Sequence, residues 1–351
     1  MRLGRRDARG TTSCRHGHVI GLDLGATAAR AVVVSIDKRA DDRVVVEQVA
    51  GVALTPGVVV NGVVEDPSAL TTALKQLWRE HKLCRHVVLG VAGPQVQVRK
   101  LKMPDLDPVR RAQALPFQAQ EIVALPLEMV ELDYAPLGGE ADDAGLVDGL
   151  LVATPREPVQ IAVGAVEAAG ITVDRVDLSA FAVLRSVATS GLQCEAVVDL
   201  GAHLTTVVVH HGGVPEMART LARGGDEITT RLVERLGLAR EQAEVAKREQ
   251  GLDGSGEVSG ALHDIVAALL TDIRTSLNYF RSGHAGVRID KVSLTGRGAL
   301  LPGLAESVMA QVGVPTSVEH TDGLPGPTTA ALVDPTWSSA QGVGLAIGTA
   351  A

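Results

Sequence analysis

A short motif occurs twice in this chain: Asp23-Leu24-Gly25-Ala26 and Asp199-Leu200-Gly201-Ala202, 176 positions apart (199 − 23). At the same offset Ala31-Val32-Val33 stands against Val207-Val208-Val209. Each copy reads as strand, tight glycine turn, strand: a β-hairpin with an aspartate at its tip. A lone Asp-Leu-Gly is an ordinary turn, but two strand-flanked copies half a chain apart describe a duplicated fold whose two tips can face each other. A glycine tip lets backbone N–H groups approach a polyphosphate with no Cβ in the way. An aspartate at each tip can hold a magnesium ion through its waters, since Mg²⁺ keeps several. Asp23 and Asp199 are therefore the candidate metal residues. Gly25, Ala26, Thr27, Gly201, Ala202 and Thr205 are candidate phosphate contacts. The plainer alternative, aspartates that cap turns and glycines that need no ligand, stays open.

The rest of the chain suits that reading. Its 351 residues fit two domains of roughly 100–200 residues each. Only 2% are aromatic while 46% are hydrophobic, so the cores must be built from Val, Leu, Ile and Ala. Runs such as Val44-Val45-Val46 and Val58-Val59-Val60 favour buried strands, where β-branched side chains pack well.

Strands are expected at Val19–Asp23, Ala31–Ile36, Arg43–Leu54 and His86–Ala92, with Val58–Val64 extending the same sheet. Pro67–His81 reads as a helix, from Pro67 in its first turn and Leu70, Leu74 and Leu77 at helical spacing. From about Gly93 to Leu150 the texture changes. A strand over Val96–Met103, a helix over Pro108–Val123 and a strand over Glu128–Leu137 precede an acidic loop at Gly138–Asp148, which together suggest an inserted subdomain. Leu150–Ala153 is expected to restart the main sheet, followed by a helix over Glu157–Ala169. In the second half, strands are expected at Ala196–Asp199, Thr205–His210 and Val292–Leu294. Helices are expected at Glu227–Leu236, Ala239–Glu249 and Leu262–Phe280. Strands mixed with helices throughout make the class α/β.

Several functions are set aside. A net charge of −8 and few aromatic stacking platforms argue against nucleic acid as a partner. The three cysteines, Cys14, Cys84 and Cys194, are far apart with no CxxC, so neither a zinc site nor a disulfide framework is expected. No run of about 18 apolar residues marks a membrane span. Met1–His18 carries Arg2, Arg5, Arg6, Arg9 and Arg15 with no apolar segment behind them. It reads as a disordered basic tail rather than a signal peptide. No GxxxxGK[ST], GxSxG, HExxH or Rossmann fingerprint is present.

A third segment connects these features to a known superfamily. Leu294-Thr295-Gly296-Arg297-Gly298-Ala299-Leu300-Leu301-Pro302-Gly303 resembles the adenosine motif of the actin, Hsp70 and hexokinase superfamily. Asp23–Arg30 and Asp199–Thr206 then resemble its two phosphate motifs. Within it the chain resembles the PilM family, the actin-like ATPases of type IV pilus assembly and relatives of the division protein FtsA. Met103-Pro104-Asp105-Leu106, Gln120-Glu121, Pro126 and Asp133-Tyr134 resemble that family's inserted subdomain, called 1C. Gly224-Gly225-Asp226-Glu227 and Ala243-Glu244-Val245-Ala246-Lys247 resemble its ribose and adenine helices.

The resemblance implies an actin-like, ribonuclease H-like duplicated fold with a central cleft. Residues 19–179 would form domain 1, with the insert at about 93–150, and residues 180–351 domain 2. ATP and Mg²⁺ would be held by the hairpins together with Gly225, Glu227, Glu244, Lys247, Gly296, Arg297 and Gly298. The family usually has Gly where Arg297 stands, Ser where Ala26 stands and Lys where Arg30 stands, so hydrolysis is expected to be slow at most and its base is unassigned. His203, in the second phosphate loop, is either a water-positioning base or a solvated loop histidine.

The resemblance further implies a cytoplasmic scaffold at the inner face of the plasma membrane. It would bind the short cytoplasmic tail of a PilN-type membrane protein and connect to the pilus motor ATPase, with self-association in some members. Four alternatives stay open: a small-molecule kinase of the superfamily, an FtsA-like division protein, an Hsp70-type chaperone, and a degenerate scaffold without nucleotide. A chaperone would need a peptide-binding domain after the adenosine motif, and an FtsA-like protein a terminal amphipathic helix. This sequence instead ends Leu345–Ala351.

Overall fold

The computed structural model of the protein describes residues 18–37, 43–137, 140–187, 191–284, 286–319 and 340–347. The basic segment before His18, part of the acidic loop after Leu137 and the last four residues lie outside them.

The first half contains β1 (His18–Leu24), β2 (Ala28–Asp37), β3 (Arg43–Ala53), β4 (Val59–Val60), β5 (Val63–Val64), α1 (Pro67–His81) and β6 (His86–Val91). The insert follows as β7 (Gln97–Pro104), α2 (Pro108–Ala119), β8 (Val130–Pro136) and β9 (Leu146–Pro155). The chain returns through α3 (Arg156–Ala168), β10 (Thr172–Leu178) and α4 (Ser179–Val187). The second half contains β11 (Cys194–Leu200), β12 (Thr205–His211), β13 (Val214–Leu221), α5 (Gly225–Leu236), α6 (Arg240–Gln250), α7 (Glu257–Gly283), β14 (Lys291–Thr295), α8 (Leu304–Val312) and β15 (Thr316–Val318). The last described element is α9 (Ala340–Ile347).

Two five-stranded sheets carry the duplication. Their orders are β10-β6-β1-β2-β3 and β13-β12-β11-β14-β15. In each, the Asp-bearing strand lies in the centre, antiparallel to the strand that follows it and parallel to a later one. Central strands are covered on both faces, so their side chains are largely apolar, with Asp23, Glu195 and Asp199 the buried acids among them. Every residue of β11 is buried. The two cores are separate clusters, one around Ile20, Leu22, Leu70, Leu74 and Leu89, the other around Val198, Leu200, Leu262, Ile273 and Phe280.

Local chemistry explains the clearest helix. The Asp66 side chain accepts from Ala69 N–H at 2.9 Å, and Pro67 opens α1 where its missing donor costs nothing. Leu70, Leu74, Leu77 and Trp78 then bury one face.

The structure departs from the sequence reading in three places. Val58–Val64 does not extend the main sheet, because β4 and β5 pair only with each other. Leu150–Ala153 does not restart it either. It belongs to β9, the middle strand of the insert's own sheet, ordered β7-β9-β8. An apolar run fits the centre of either sheet equally well, and periodicity cannot choose between them. The elements β10, β13, β15, α4, α8 and α9 have no counterpart in the sequence reading. Among them α9, although last in sequence, packs against α4, β1, β2 and β6 of the first sheet. Cys194 is buried and free, while Cys84 is disulfide-bonded, contrary to the spacing argument. No helix among the described residues is long and apolar enough to cross a membrane.

The insert has a small core of its own, built from Met103, Leu115, Ala119, Val130, Tyr134 and Leu151. Tyr134 spans it, its single hydroxyl proton shared between Val147 O at 3.0 Å and Leu101 O at 3.2 Å. On the other side the insert leans on the second half. Val98 and Leu150 share a cluster with Val183, Val197 and Val208, and Lys100 pairs with Glu216 of β13.

Candidate functional site

The two motifs build hairpins of one construction. In the first, Asp23 stands opposite Arg30 and Gly25 N–H donates to Ala28 O at 3.0 Å. In the second, Asp199 stands opposite Thr206 and Gly201 N–H donates to Leu204 O at 2.8 Å. Both tips open on one cleft, a cavity of about 780 Å³ that reaches from Asp23 to Asp199. Asp23 and Asp199 line it while being only 8% and 6% exposed.

Two acidic groups buried so close to each other resist ionisation. Burial pushes the Asp23 carboxyl above its ordinary range, opposed by the guanidinium of Arg30, whose Nη1 lies 3.1 Å from Asp23 Oδ2. Burial pushes Asp199 up to about 6, with the Asp23 charge adding to the effect, while a hydrogen bond from Gln341 Nε2 at 2.7 Å opposes it.

The far wall comes from α5, α6 and the turn after β14. The start of α5 is hydrogen-bonded onto the second hairpin, through Gly225 N–H to Gly201 O and Asp226 N–H to Ala202 O, each 2.9 Å. On α6, Arg240, Glu244, Lys247 and Arg248 all line the cavity, as spacing at helical periods requires. Lys247 Nζ is held by Gly225 O at 3.1 Å, Thr229 Oγ1 at 2.6 Å and Glu244 Oε1 at 3.0 Å. Burial pushes the Glu244 carboxyl up, but Thr229, Lys247 and Arg240 outweigh it and leave it below the ordinary range. Gly296 has φ 83°, and a Cβ there would come within 2.5 Å of Asp199 Oδ1 and Leu200 O. Only glycine allows the turn to approach the second hairpin so closely.

Of the residues singled out from sequence, the cleft brings together Asp23, Gly25, Ala26, Thr27, Asp199, Gly201, Ala202, Gly225, Glu244, Lys247, Gly296, Arg297 and Gly298. Thr205 and Glu227 are not in its lining. Thr205 is fully buried and its hydroxyl donates to Arg223 O at 2.8 Å. Glu227 pairs with Arg223 at 2.7 Å and Arg231 at 2.9 Å, away from the cavity. His203 lines the cavity with Nε2 3.9 Å from Asp226 Oδ2. The sequence reading missed Asp226, Arg240, Arg248 and Gln341. The α6 pair could have been found by extending its helical face from Glu244 and Lys247. Nothing in the sequence points to Gln341.

The donor set suits a nucleotide and its cation. Arg30 Nε is buried with no hydrogen-bond partner, an orphan donor in the cavity wall that an anion would satisfy. The two carboxylates leave negative charge in the cleft that a hydrated divalent cation would neutralise.

The family model for type IV pilus assembly protein PilM matches residues 21–322. A solved PilM–PilN type IV pilus biogenesis complex superposes with a TM-score of 0.81 at 25% identity, covering 94% of this chain and 98% of that one. Cell division protein FtsA of Streptococcus pneumoniae is 24% identical over an alignment covering 86% of this chain and 75% of FtsA. More distantly, MreB5 of Spiroplasma citri, solved with ADP, matches with a TM-score of 0.55 at 12% identity over 95% of this chain and 96% of its own. The duplicated sheets and central cleft are those of the actin-like fold, and the chain belongs to the PilM family of type IV pilus assembly proteins.

Proposed function

We propose that this chain is a pilus-assembly scaffold that holds ATP with Mg²⁺ in its cleft and docks the short cytoplasmic tail of a PilN-type membrane protein on its inserted module. The observation that carries the nucleotide reading is the convergence of two matched hairpins, each with a buried aspartate, on one cavity of about 780 Å³. In this reading the tip N–H groups of both hairpins and Arg30 receive the phosphates, while Asp23 and Asp199 face the cation. Magnesium held there would neutralise phosphate charge. Gly225, Glu244, Lys247 and the Gly296–Gly298 turn receive the nucleoside. In this reading turnover is slow at most and the bound nucleotide acts as a structural effector.

For the partner, the insert carries a groove of about 360 Å³ lined by Pro108, Arg111, Leu115, Leu127, Tyr134 and Arg156. Its apolar floor and two guanidinium groups suit a short peptide with an apolar anchor. The solved relative is itself a PilM–PilN complex. Tethering by such a tail would keep the protein at the inner face of the plasma membrane and connect it to the pilus motor ATPase.

Calorimetric titration of Mg²⁺ and ATP into the wild type beside Asp23→Ala and Asp199→Ala tests the cleft. Heat in the wild type that is lost or sharply weakened in both variants supports it, and a silent wild type sinks it. Titrating a PilN-type tail peptide into the wild type and Arg156→Glu tests the groove, where unchanged affinity in the variant moves the partner elsewhere.

A further inference from the structure

One contact on the cleft floor joins the two halves of the molecule. Gln341 Nε2 donates to Asp199 Oδ2 at 2.7 Å, across 142 positions of sequence. Asp199 ends β11 in the second sheet, whereas Gln341 sits in the first turn of α9, which packs on the first sheet.

The seating of α9 is unusually close. A Cβ at Gly21 of β1 would run into Gly342 O, and one at Gly344 would run into Ala182 O of α4. Leu345 packs over Gly90 of β6. With glycine at these contacts the helix backbone lies directly against its neighbours, and little slack remains in where Gln341 is carried. Arg185 of α4 adds a hydrogen bond from Nε to Gly344 O at 3.0 Å.

The partner chosen for each aspartate is chemically different. Arg30 brings a positive charge to Asp23 at 3.1 Å. Gln341 brings a neutral amide to Asp199. An amide N–H orients a carboxylate without cancelling its charge, and it does not repel a cation beside it. Held in this way, Oδ2 of Asp199 is fixed by the amide, while Oδ1 lies beside the Gly296 turn that lines the cleft.

We infer that Gln341 is a positioning residue for Asp199: its amide holds one carboxylate oxygen so that the second is presented to a hydrated divalent cation, and it ties that carboxylate to α9 and hence to the first sheet. The inference rests on the nucleotide-and-magnesium reading of the cleft. It assigns Gln341 a role in cation dependence, and not in nucleotide affinity as such. It also makes the cation-facing carboxylate sense the position of the other half of the molecule.

The test uses the full chain and measures ATP binding by calorimetry with excess Mg²⁺ and again with EDTA. The wild type should gain affinity with Mg²⁺. Gln341→Met, which keeps the side-chain length, and Gln341→Ala should each lose about tenfold of that gain, the effect of one hydrogen bond to a charged group. Their affinity in EDTA should stay within about twofold of wild type, a split that a merely structural role would not produce. A second readout needs no nucleotide: in thermal unfolding, the Tm losses of Gln341→Met and Asp199→Ala should fail to add in the double variant. Full retention of the Mg²⁺ gain in the Gln341 variants overturns the inference, as does an equal loss with and without Mg²⁺, or strict additivity in the melts. If the wild type binds no ATP under either condition, the nucleotide reading itself is wrong and the positioning role falls with it. That failure is distinguishable because it alone silences the wild type.

Discussion

The two hairpins share a backbone and differ in what holds their aspartates. Asp23 is answered by Arg30, its cross-strand neighbour seven positions on. Asp199 faces Thr206 in the same register position and takes its partner instead from a helix at the other end of the chain. Duplication therefore preserved the turn and the acid but not the counter-group. The first half carries its own positive charge into the cleft. The second keeps its negative charge and depends on the first half to orient it. Equal sequence motifs have become electrostatically unequal sites, and the inequality is visible only when the halves are assembled.

The strongest way to break this comparison is to remove each aspartate in turn. Asp199→Ala should weaken Mg²⁺–ATP binding by about a hundredfold and Asp23→Ala by about tenfold, since Arg30 already screens the latter. Equal losses in calorimetry would erase the asymmetry.

The next effect is on stability without divalent cation. The Asp199 carboxyl is raised from its ordinary 3.8 to about 6 in the folded state. The folded protein therefore holds a proton between about pH 4 and 6 that the unfolded chain has released. This contribution to stability is present at the acidic end and is lost as pH rises through about 6, by on the order of 3 kcal/mol. Urea unfolding of the wild type against Asp199→Asn across that range should show the steeper slope in the wild type, and Mg²⁺ should flatten it. A stability rising with pH at this site would contradict the burial argument.

Smaller again is Arg30→Met, which should lower ATP affinity several-fold while leaving the Mg²⁺ dependence in place, because the orphan donor and not the cation-facing acid is lost. A Mg²⁺ dependence that vanished would instead make Asp23, freed of Arg30, the carboxylate that governs cation binding. Least of all, Thr205→Val should change ATP affinity by less than about twofold and lower stability by about 1 kcal/mol, the worth of its bond to Arg223 O. A larger loss of affinity would return Thr205 to the site.

Much of this was legible in the chain itself. The repeated Asp-Leu-Gly-Ala fixed two hairpins at the right positions, since a glycine turn between Val-rich strands is decided by neighbours a few residues apart. The α1 helix followed from Asp66, Pro67 and the Leu70–Leu74–Leu77 stripe for the same reason. The insert was marked by its change of texture. Most of the residues chosen from sequence line the cleft, with Thr205 and Glu227 outside its lining because a residue next to a site in sequence need not face it.

What the chain could not disclose was the choice of partner over long distances. The apolar run Leu150–Ala153 suited either sheet, and only pairing with β7 and β8 assigned it to the insert. The segment Ala340–Ile347 contains three polar or glycine positions in eight residues and no strong helical stripe. Its place against β1 depends on glycines meeting glycines from opposite ends of the chain. By itself, then, the sequence determined the hairpins, their acids and the family, because those rest on local backbone conformation and short-range pattern. Tertiary structure alone decided that Gln341 meets Asp199, because a hydrogen bond spanning 142 positions exists only once α9 is seated on the first sheet and the second sheet is brought against it.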